Sequence, residues 1–259
     1  MANSVTGYHT AHLPEDPARA VVWKVVAEHL STWVPASARV LEIGAGYCAW
    51  INNVVAARRV AVDIWPDVVR HANDGIEALV LDASRDLPTL GEAAFDVVLA
   101  SNILEHFEPG VAASIVDDVG RLLKPGGRFI IIQPNFRYAA KHYFDDYTHR
   151  SVFTDVSLPN LLRAHGFAID RVDPRFLPYS MRGTKLPIRP WTVRAYLWSP
   201  FRPMAGQMLV IAHRGLDHLC QVGSPGDPTS VAGQTDRDAV RLGGPPKSSA
   251  EAEGSAPHR

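Results

Sequence analysis

Three things are scarce in this chain of 259 residues. Cysteine occurs twice, at Cys48 and Cys220, which is too few for a disulfide framework or a zinc site. Neither sign of charge dominates: 26 basic against 27 acidic side chains leave a formal net charge of −1. A general nucleic-acid binder normally carries a basic surplus, so no nucleic-acid partner is expected. Long apolar runs are missing as well, and stretches such as residues 129–132 fall far short of the roughly 20 residues that span a bilayer. Residues 1–12 show no apolar h-region of a signal peptide. A soluble protein, located in the cytoplasm, is the expectation. What the chain does have is apolar content, 46% of its residues, enough for one large α/β domain or two small ones.

Composition shifts along the chain. The last 39 residues, 221–259, hold six Gly, five Pro and five Ser and no aromatic residue. Such a segment buries too little surface to offset its ordering entropy. The expected organisation is a loose lead-in over 1–15, one domain over 16–214, and a disordered tail over 215–259. Asp16-Pro17 reads as a helix N-cap with proline at the first helical position. Val22, Val26, Leu30 and Trp33 then share a helical face. Apolar runs at 39–44, 59–63, 78–82, 95–101, 129–133, 167–172 and 207–213 read as strands. Helices are expected over 51–55, over 111–123, and from Ser157, which reads as a cap, to Gly166. Continuous apolar strands alternating with helices imply a sheet covered on both faces. The fold class is therefore α/β: a doubly wound, Rossmann-like, seven-stranded sheet, mostly parallel with an antiparallel last strand.

In open parallel sheets, ligands bind beyond the carboxyl ends of the strands. The first strand ends in Glu42-Ile43-Gly44-Ala45-Gly46-Tyr47-Cys48, where two close glycines allow a tight turn and backbone approach to a ligand. The second ends in Asp63, a carboxylate suited to a ribose diol. The third ends in Asp82, which can accept from an adenine amino group, and the fourth in Ser101-Asn102. Residues 44–49 also fit the dinucleotide fingerprint G-x-G-x-x-G/A with Asp63 downstream. On this ground an NAD-dependent oxidoreductase is an alternative. A non-catalytic cofactor-binding accessory protein of a glycosyltransferase is another.

With VLEIGAGYCAW, VAVDIWP, LDASRDLP, FDVVLASNILEHF and LLKPGGRFIIIQPN in this order over residues 39–135, the chain resembles the class I S-adenosylmethionine-dependent methyltransferases. Further matches at HYFDDYTH, RFLPYS and GQMLVIA resemble a bacterial subgroup associated with sugar, glycolipid or secondary-metabolite assembly. The resemblance implies S-adenosyl-L-methionine as cofactor. Glu42, Gly44 and Gly46 would shape the methionine pocket, Asp63 with Ile64 would hold the ribose, and Asp82 with Ala83 the adenine, with Ser101 and Asn102 completing the site. Cys48 stands where the family often has a third glycine; a small residue in helical geometry, packed rather than reactive, is expected there.

The implied reaction is methyl transfer to a hydroxyl of a saccharide, glycolipid precursor or secondary metabolite by in-line displacement. Such a hydroxyl is weakly nucleophilic at neutral pH, so a positioned base helps. The candidates are His149 and His106, with Asp145 expected to orient His149. Asn135, Tyr138 and Tyr143 are candidate acceptor-pocket residues, and no metal is expected. Between the sixth and seventh strands, residues 171–202 carry seven Lys or Arg against the single acid Asp173, together with Trp191, Tyr196, Trp198 and Phe201. This insertion, taken as 171–206, reads as a lid or as a surface meeting an anionic membrane or a lipid-linked phosphate. Expected partners are thus a small-molecule or sugar- or lipid-linked acceptor, with peripheral membrane contact; the oligomeric state is left open.

Overall fold

The computed structural model describes residues 15–179 and 187–215, all within the first of the two units, Met1–Val222 and Gly223–Arg259, into which the chain divides. The expected lead-in, apart from Glu15, and the expected tail, apart from Gly215, lie outside the described residues.

Seven strands form one sheet: β1 (Arg39–Ile43), β2 (Arg58–Asp63), β3 (Ile76–Val80), β4 (Phe95–Ser101), β5 (Leu123–Pro134), β6 (Phe167–Pro178) and β7 (Ala205–Arg214). Their spatial order is β3-β2-β1-β4-β5-β7-β6. Neighbours among β1 to β5 are parallel, whereas β7 runs antiparallel to both β5 and β6. The last strand is therefore antiparallel, as its sequence context implies.

Successive strand residues point to opposite faces, and both faces here are covered. Val40, Val97, Leu99, Ile130, Ile132, Leu209 and Ile211 enter one core; Leu41, Ile43, Val98, Phe129, Ile131 and Val210 enter the other. That two-sided burial is why the central strands read as unbroken apolar runs. The first core is closed by α1 (Pro17–Leu30), through Val22, Val26 and Leu30. Asp16 caps it by accepting the Ala18 N–H at 2.9 Å. The crossover between β2 and β3 carries only the short α2 (Val68–His71). The second core is closed by α3 (Pro109–Leu122), through Ile115, Val119 and Leu122. A short α4 (Phe136–Ala139) follows β5, and α5 (Ser157–Ala164) adds Leu158 and Leu162 to the second core.

Several sequence expectations need correction. Residues 51–55 do not form an α-helix; a single 3-10 turn, Ile51–Asn53, takes its place. Asn53 competes locally, donating to the Ala49 carbonyl at 2.9 Å, and Asn52 is drawn into a tertiary contact, donating to the His71 carbonyl at 2.8 Å. Ser157 is the first residue of α5 rather than its cap. The Thr154 hydroxyl oxygen does the capping, accepting the Ser157 N–H at 3.0 Å. The sixth strand runs on to Pro178, so the first part of the expected insertion is sheet. Its later part is α6 (Pro190–Trp198), which packs beside α1 with Val193 and Leu197 in the first core. Within 171–206, residues 171–178 are thus sheet and α6 covers a sheet face, and residues 180–186 of the expected lid lie outside the described residues.

Candidate active site

The parallel order reverses between β1 and β4, and the crevice at such a reversal is where α/β sheets bind ligands. The loop after β1 turns through Gly44 at φ 71° and Gly46 at φ 48°, a left-handed region open to glycine without penalty. A Cβ added to Gly44 would stand 2.7 Å from Ile103 Cδ1, so this loop touches the one after β4. Asp63, buried at the end of β2, braces the turn. Its Oδ2 accepts the Gly46 N–H at 2.7 Å and its Oδ1 the Trp65 N–H at 2.8 Å. Each carboxylate oxygen retains a further lone pair for a diol. Ile64 beside it is exposed. An aromatic group absent from the sequence expectations adjoins this turn: Trp65 stacks on His71 at 5.3 Å, and Tyr47 meets Trp65 edge-on at 5.1 Å.

Glu42 lies buried within β1, its Oε2 accepting the Ile51 N–H at 3.0 Å. Burial, reinforced by the Asp63 charge and offset by that hydrogen bond, pushes its carboxyl up to about 8. Asp82 falls two residues beyond β3, because that strand spans Ile76–Val80 rather than 78–82. It forms an Asx turn, its Oδ1 accepting from the Ser84 N–H and hydroxyl at 2.9 and 2.6 Å, next to the buried Ala83. Asn102 takes a left-handed φ of 50° and donates to the Ser101 hydroxyl at 3.2 Å. Cys48 departs from its expected helical geometry, with φ 54°. The turn imposes the conformation that a third glycine would adopt freely. Its thiol is buried and pushed up to about 12, so the expected packed rather than reactive residue fits.

At the other side of the crevice, the turn after β4, Leu104–His106, carries Glu105 and His106. The Glu105 carbonyl accepts the Arg150 and Ser151 N–H groups at 2.8 and 3.1 Å, tying the 143–151 loop to this turn. Tyr143, buried, donates its hydroxyl to the Ser151 carbonyl at 2.5 Å. His149 is thereby brought against His106, with ring centroids 4.9 Å apart. Burial, together with His149, holds the His106 imidazole down to about 4, so it is neutral at neutral pH. Its Nδ1 meets the Thr148 hydroxyl at 2.8 Å, and that hydroxyl donates to Asp146 Oδ1 at 2.6 Å.

Asp145 does not orient His149. The 3-10 turn Tyr143–Asp145 directs it outward, where its carboxylate meets His142 Nδ1 at 2.9 Å. Asp146 is the carboxylate near His149, 3.9 Å from its Nε2. Asn135 is also not an acceptor-pocket group: it is buried and donates to Asp155 and to the Pro174 carbonyl at 3.1 and 3.0 Å. Glu105 is the residue that sequence reasoning passed over. It is fully buried, and neither carboxylate oxygen has a hydrogen-bond partner among the described residues. Burial pushes its carboxyl up to about 8, with the nearby Asp146 adding to the rise.

A seven-stranded sheet with an antiparallel last strand and strand-end acids beside a glycine turn defines the Rossmann-like methyltransferase class of folds. A family model described as "Methyltransferase domain" matches residues 18–172, and the chain belongs to that family. S-adenosylmethionine is the cofactor expected of it. A protein from Xylella fastidiosa (strain 9a5c) named ubiquinone biosynthesis O-methyltransferase is 32% identical over 150 residues, which cover 54% of this chain and 59% of that protein. The chain thus spans under two thirds of that relative's length. Among solved structures, a SAM-dependent methyltransferase from Archaeoglobus fulgidus is similar with a TM-score of 0.59 at 18% identity, covering 82% of this chain and 99% of that one. The Burkholderia thailandensis 1,6-didemethyltoxoflavin-N1-methyltransferase, solved with S-adenosylhomocysteine, gives 0.53 at 21% identity, covering 82% and 86%. At these identities the two structures establish the fold.

Proposed function

We propose that the chain transfers a methyl group from S-adenosylmethionine to a hydroxyl of a small acceptor. The observation that carries this reading is the glycine turn braced by Asp63 at the β1–β4 reversal, facing the Glu105-His106-His149 corner. The residues fit the cofactor: two glycines in left-handed geometry leave the turn free of side chains, and Asp63 keeps lone pairs for a diol. Asp63 and Ile64 would hold the ribose, Asp82 and Ala83 the adenine, and Glu42, Gly44 and Gly46 the methionine end, with Ser101 and Asn102 beside them. When bound, S-adenosylmethionine supplies an activated methyl on a sulfonium. Family membership replaces the NAD-dependent alternative.

The relative named as an O-methyltransferase supports oxygen as the acceptor atom. A saccharide, glycolipid precursor or secondary metabolite remains the substrate class we propose, on the resemblance of residues 142–149 and 206–212. His149 is the proposed base, with Asp146 in the place first given to Asp145 and with His106 packed against it. The test is methyl-labelled cofactor incubated with a panel of hydroxyl acceptors. His149→Ala is expected to keep S-adenosylhomocysteine binding and to lose about 10²–10⁴-fold in kcat. Full turnover by that variant would remove His149 from the reaction.

A second reading concerns location. Trp191, Trp198, Phe201 and Met204 are all exposed on or just after α6, near Arg189 and Arg194. Exposed aromatics beside arginines fit peripheral contact with an anionic membrane. Among the described residues no helix is long and apolar enough to cross one. Flotation with phosphatidylglycerol vesicles checks this: the native chain floats, Trp198→Ala/Phe201→Ala stays below, and equal flotation of both counts against it.

A further inference from the structure

We infer that Glu105, His106 and His149 form a binding site for one divalent transition-metal ion. Each side chain offers a ligand atom, one carboxylate oxygen and two ring nitrogens, and these atoms lie within 4.8 Å of one another. The second, independent observation is Glu105 itself. A carboxyl with no exposed surface and no hydrogen-bond partner on either oxygen among the described residues is costly to bury. A metal ion removes that cost, because a buried carboxylate coordinated to a cation is no longer an unpaired charge.

The surroundings resemble the outer arrangement that ligating imidazoles need. His106 Nδ1 is held by the Thr148 hydroxyl, which is held in turn by Asp146. The carboxylate of Asp146 also lies 3.9 Å from His149 Nε2. Backbone hydrogen bonds from Arg150 and Ser151 to the Glu105 carbonyl fix the two segments to each other, so the ligands come from connected backbone. Two imidazoles and a carboxylate favour zinc, manganese or ferrous iron over magnesium or calcium, which prefer all-oxygen sets. Bonds to such ions run about 2.0–2.2 Å, so loading draws the three side chains together by roughly 1 Å.

This site goes beyond the function proposed above and alters one part of it. An imidazole bound to a metal cannot also take a proton. In the loaded protein, a hydroxyl acceptor held at the ion would be acidified by it and would lose its proton to water. His149 would then act as a ligand rather than as the base.

The experiment uses the full chain with any affinity tag removed, stripped with a chelator and dialysed. Zinc, manganese and magnesium are titrated singly by calorimetry, with melting temperature followed in parallel. The expected result is one equivalent of zinc or manganese per chain, a raised melting temperature, and weak or no response to magnesium. Glu105→Gln and His149→Ala are each expected to weaken binding by at least about tenfold and to lose the thermal shift, whereas Asp145→Asn keeps both. Circular dichroism of each variant shows whether it is folded. If Glu105→Gln does not fold, His106→Gln takes its place. Saturable zinc binding of unchanged affinity in folded His149→Ala, or no binding by the native chain, overturns the site. S-adenosylhomocysteine binding is measured on the same samples. Asp63→Ala is expected to lose that ligand and keep the metal, so failure of the metal site and failure of the cofactor reading give different results.

Discussion

Cys48 shows how a single residue records the demands of a turn. It holds φ 54° with its side chain fully buried, where a left-handed conformation costs an ordinary residue about 1–2 kcal/mol. Cys48→Gly relieves that strain but forfeits the buried thiol, a loss of similar size. Its stability in urea is expected within about 1 kcal/mol of the native chain, whereas a typical buried truncation costs more. With the thiol pushed up to about 12 by burial and by the Glu42 and Asp63 charges, Cys48 should resist iodoacetamide at pH 8 until the chain unfolds. Peptide mapping of alkylated protein reads this directly, and rapid native-state labelling would count against it. Glu42 carries a pH dependence whose sign can be worked out. Its folded pKa lies above its unfolded value, so its contribution to stability is full below about 4.5 and is lost as pH rises through about 8. Glu42→Gln is therefore expected to melt higher than the native apoprotein above pH 8, the advantage shrinking toward pH 5. At this scale the position of Asp63 at the end of β2 was legible from the apolar run it closes, whereas Asp82 falls two residues past the end of β3. The choice between Asp145 and Asp146 was not legible. Adjacent carboxylates are indistinguishable in sequence, and a single 3-10 turn decides which of them faces His149.

At the scale of elements, the segment between β6 and β7 repays attention because its charge misleads. Seven basic residues read as a lid or a membrane-facing surface, yet Arg202 lies almost buried. It pairs with Asp173 at 2.5 Å and donates to the carbonyls of Leu197 and Arg175 at 2.6 and 3.1 Å. It clasps the end of α6 to β6. Arg202→Ala removes the 2.5 Å partner of Asp173 and leaves only the longer 3.6 Å contact with Arg171, which is expected to cost about 1.5–3 kcal/mol in chemical denaturation. Arg194 also has an acidic partner, Glu28 on α1 at 2.7 Å, but both side chains are well exposed. Arg194→Ala is expected to cost less than about 1 kcal/mol. Equal losses for the two variants would contradict this account of the segment. Sequence reading missed the clasp because composition reports how many charges a segment holds, and partner geometry decides which of them are buried. The missing helix after β1 has a similar cause: the Asn53 side chain competes locally for the Ala49 carbonyl while Asn52 reaches across to the His71 carbonyl, preferences that apolar periodicity does not register.

Over the whole molecule, the two-sided sheet was the most legible feature, since burial on both faces leaves no polar alternation along the central strands. Reversal of strand order at β1 and β4 then gathers loops that are distant in sequence. Gly44 meets Ile103, Asp63 holds Gly46, and Glu105 meets His149. The Gly44–Asp63 part of this gathering follows from the ends of β1 and β2, each readable by itself. The Glu105–His149 part depends on a loop folding back across 44 residues, and no local pattern encodes that return. The claim on which the rest stands is that the braced glycine turn holds S-adenosylmethionine. The most direct measurement is calorimetric titration of S-adenosylhomocysteine into the native chain and into Asp63→Ala, with NAD as a parallel ligand. One equivalent bound by the native chain, loss of binding in a folded Asp63→Ala, and no response to NAD are expected. Undiminished binding in that variant, or NAD binding without a response to S-adenosylhomocysteine, would contradict the account.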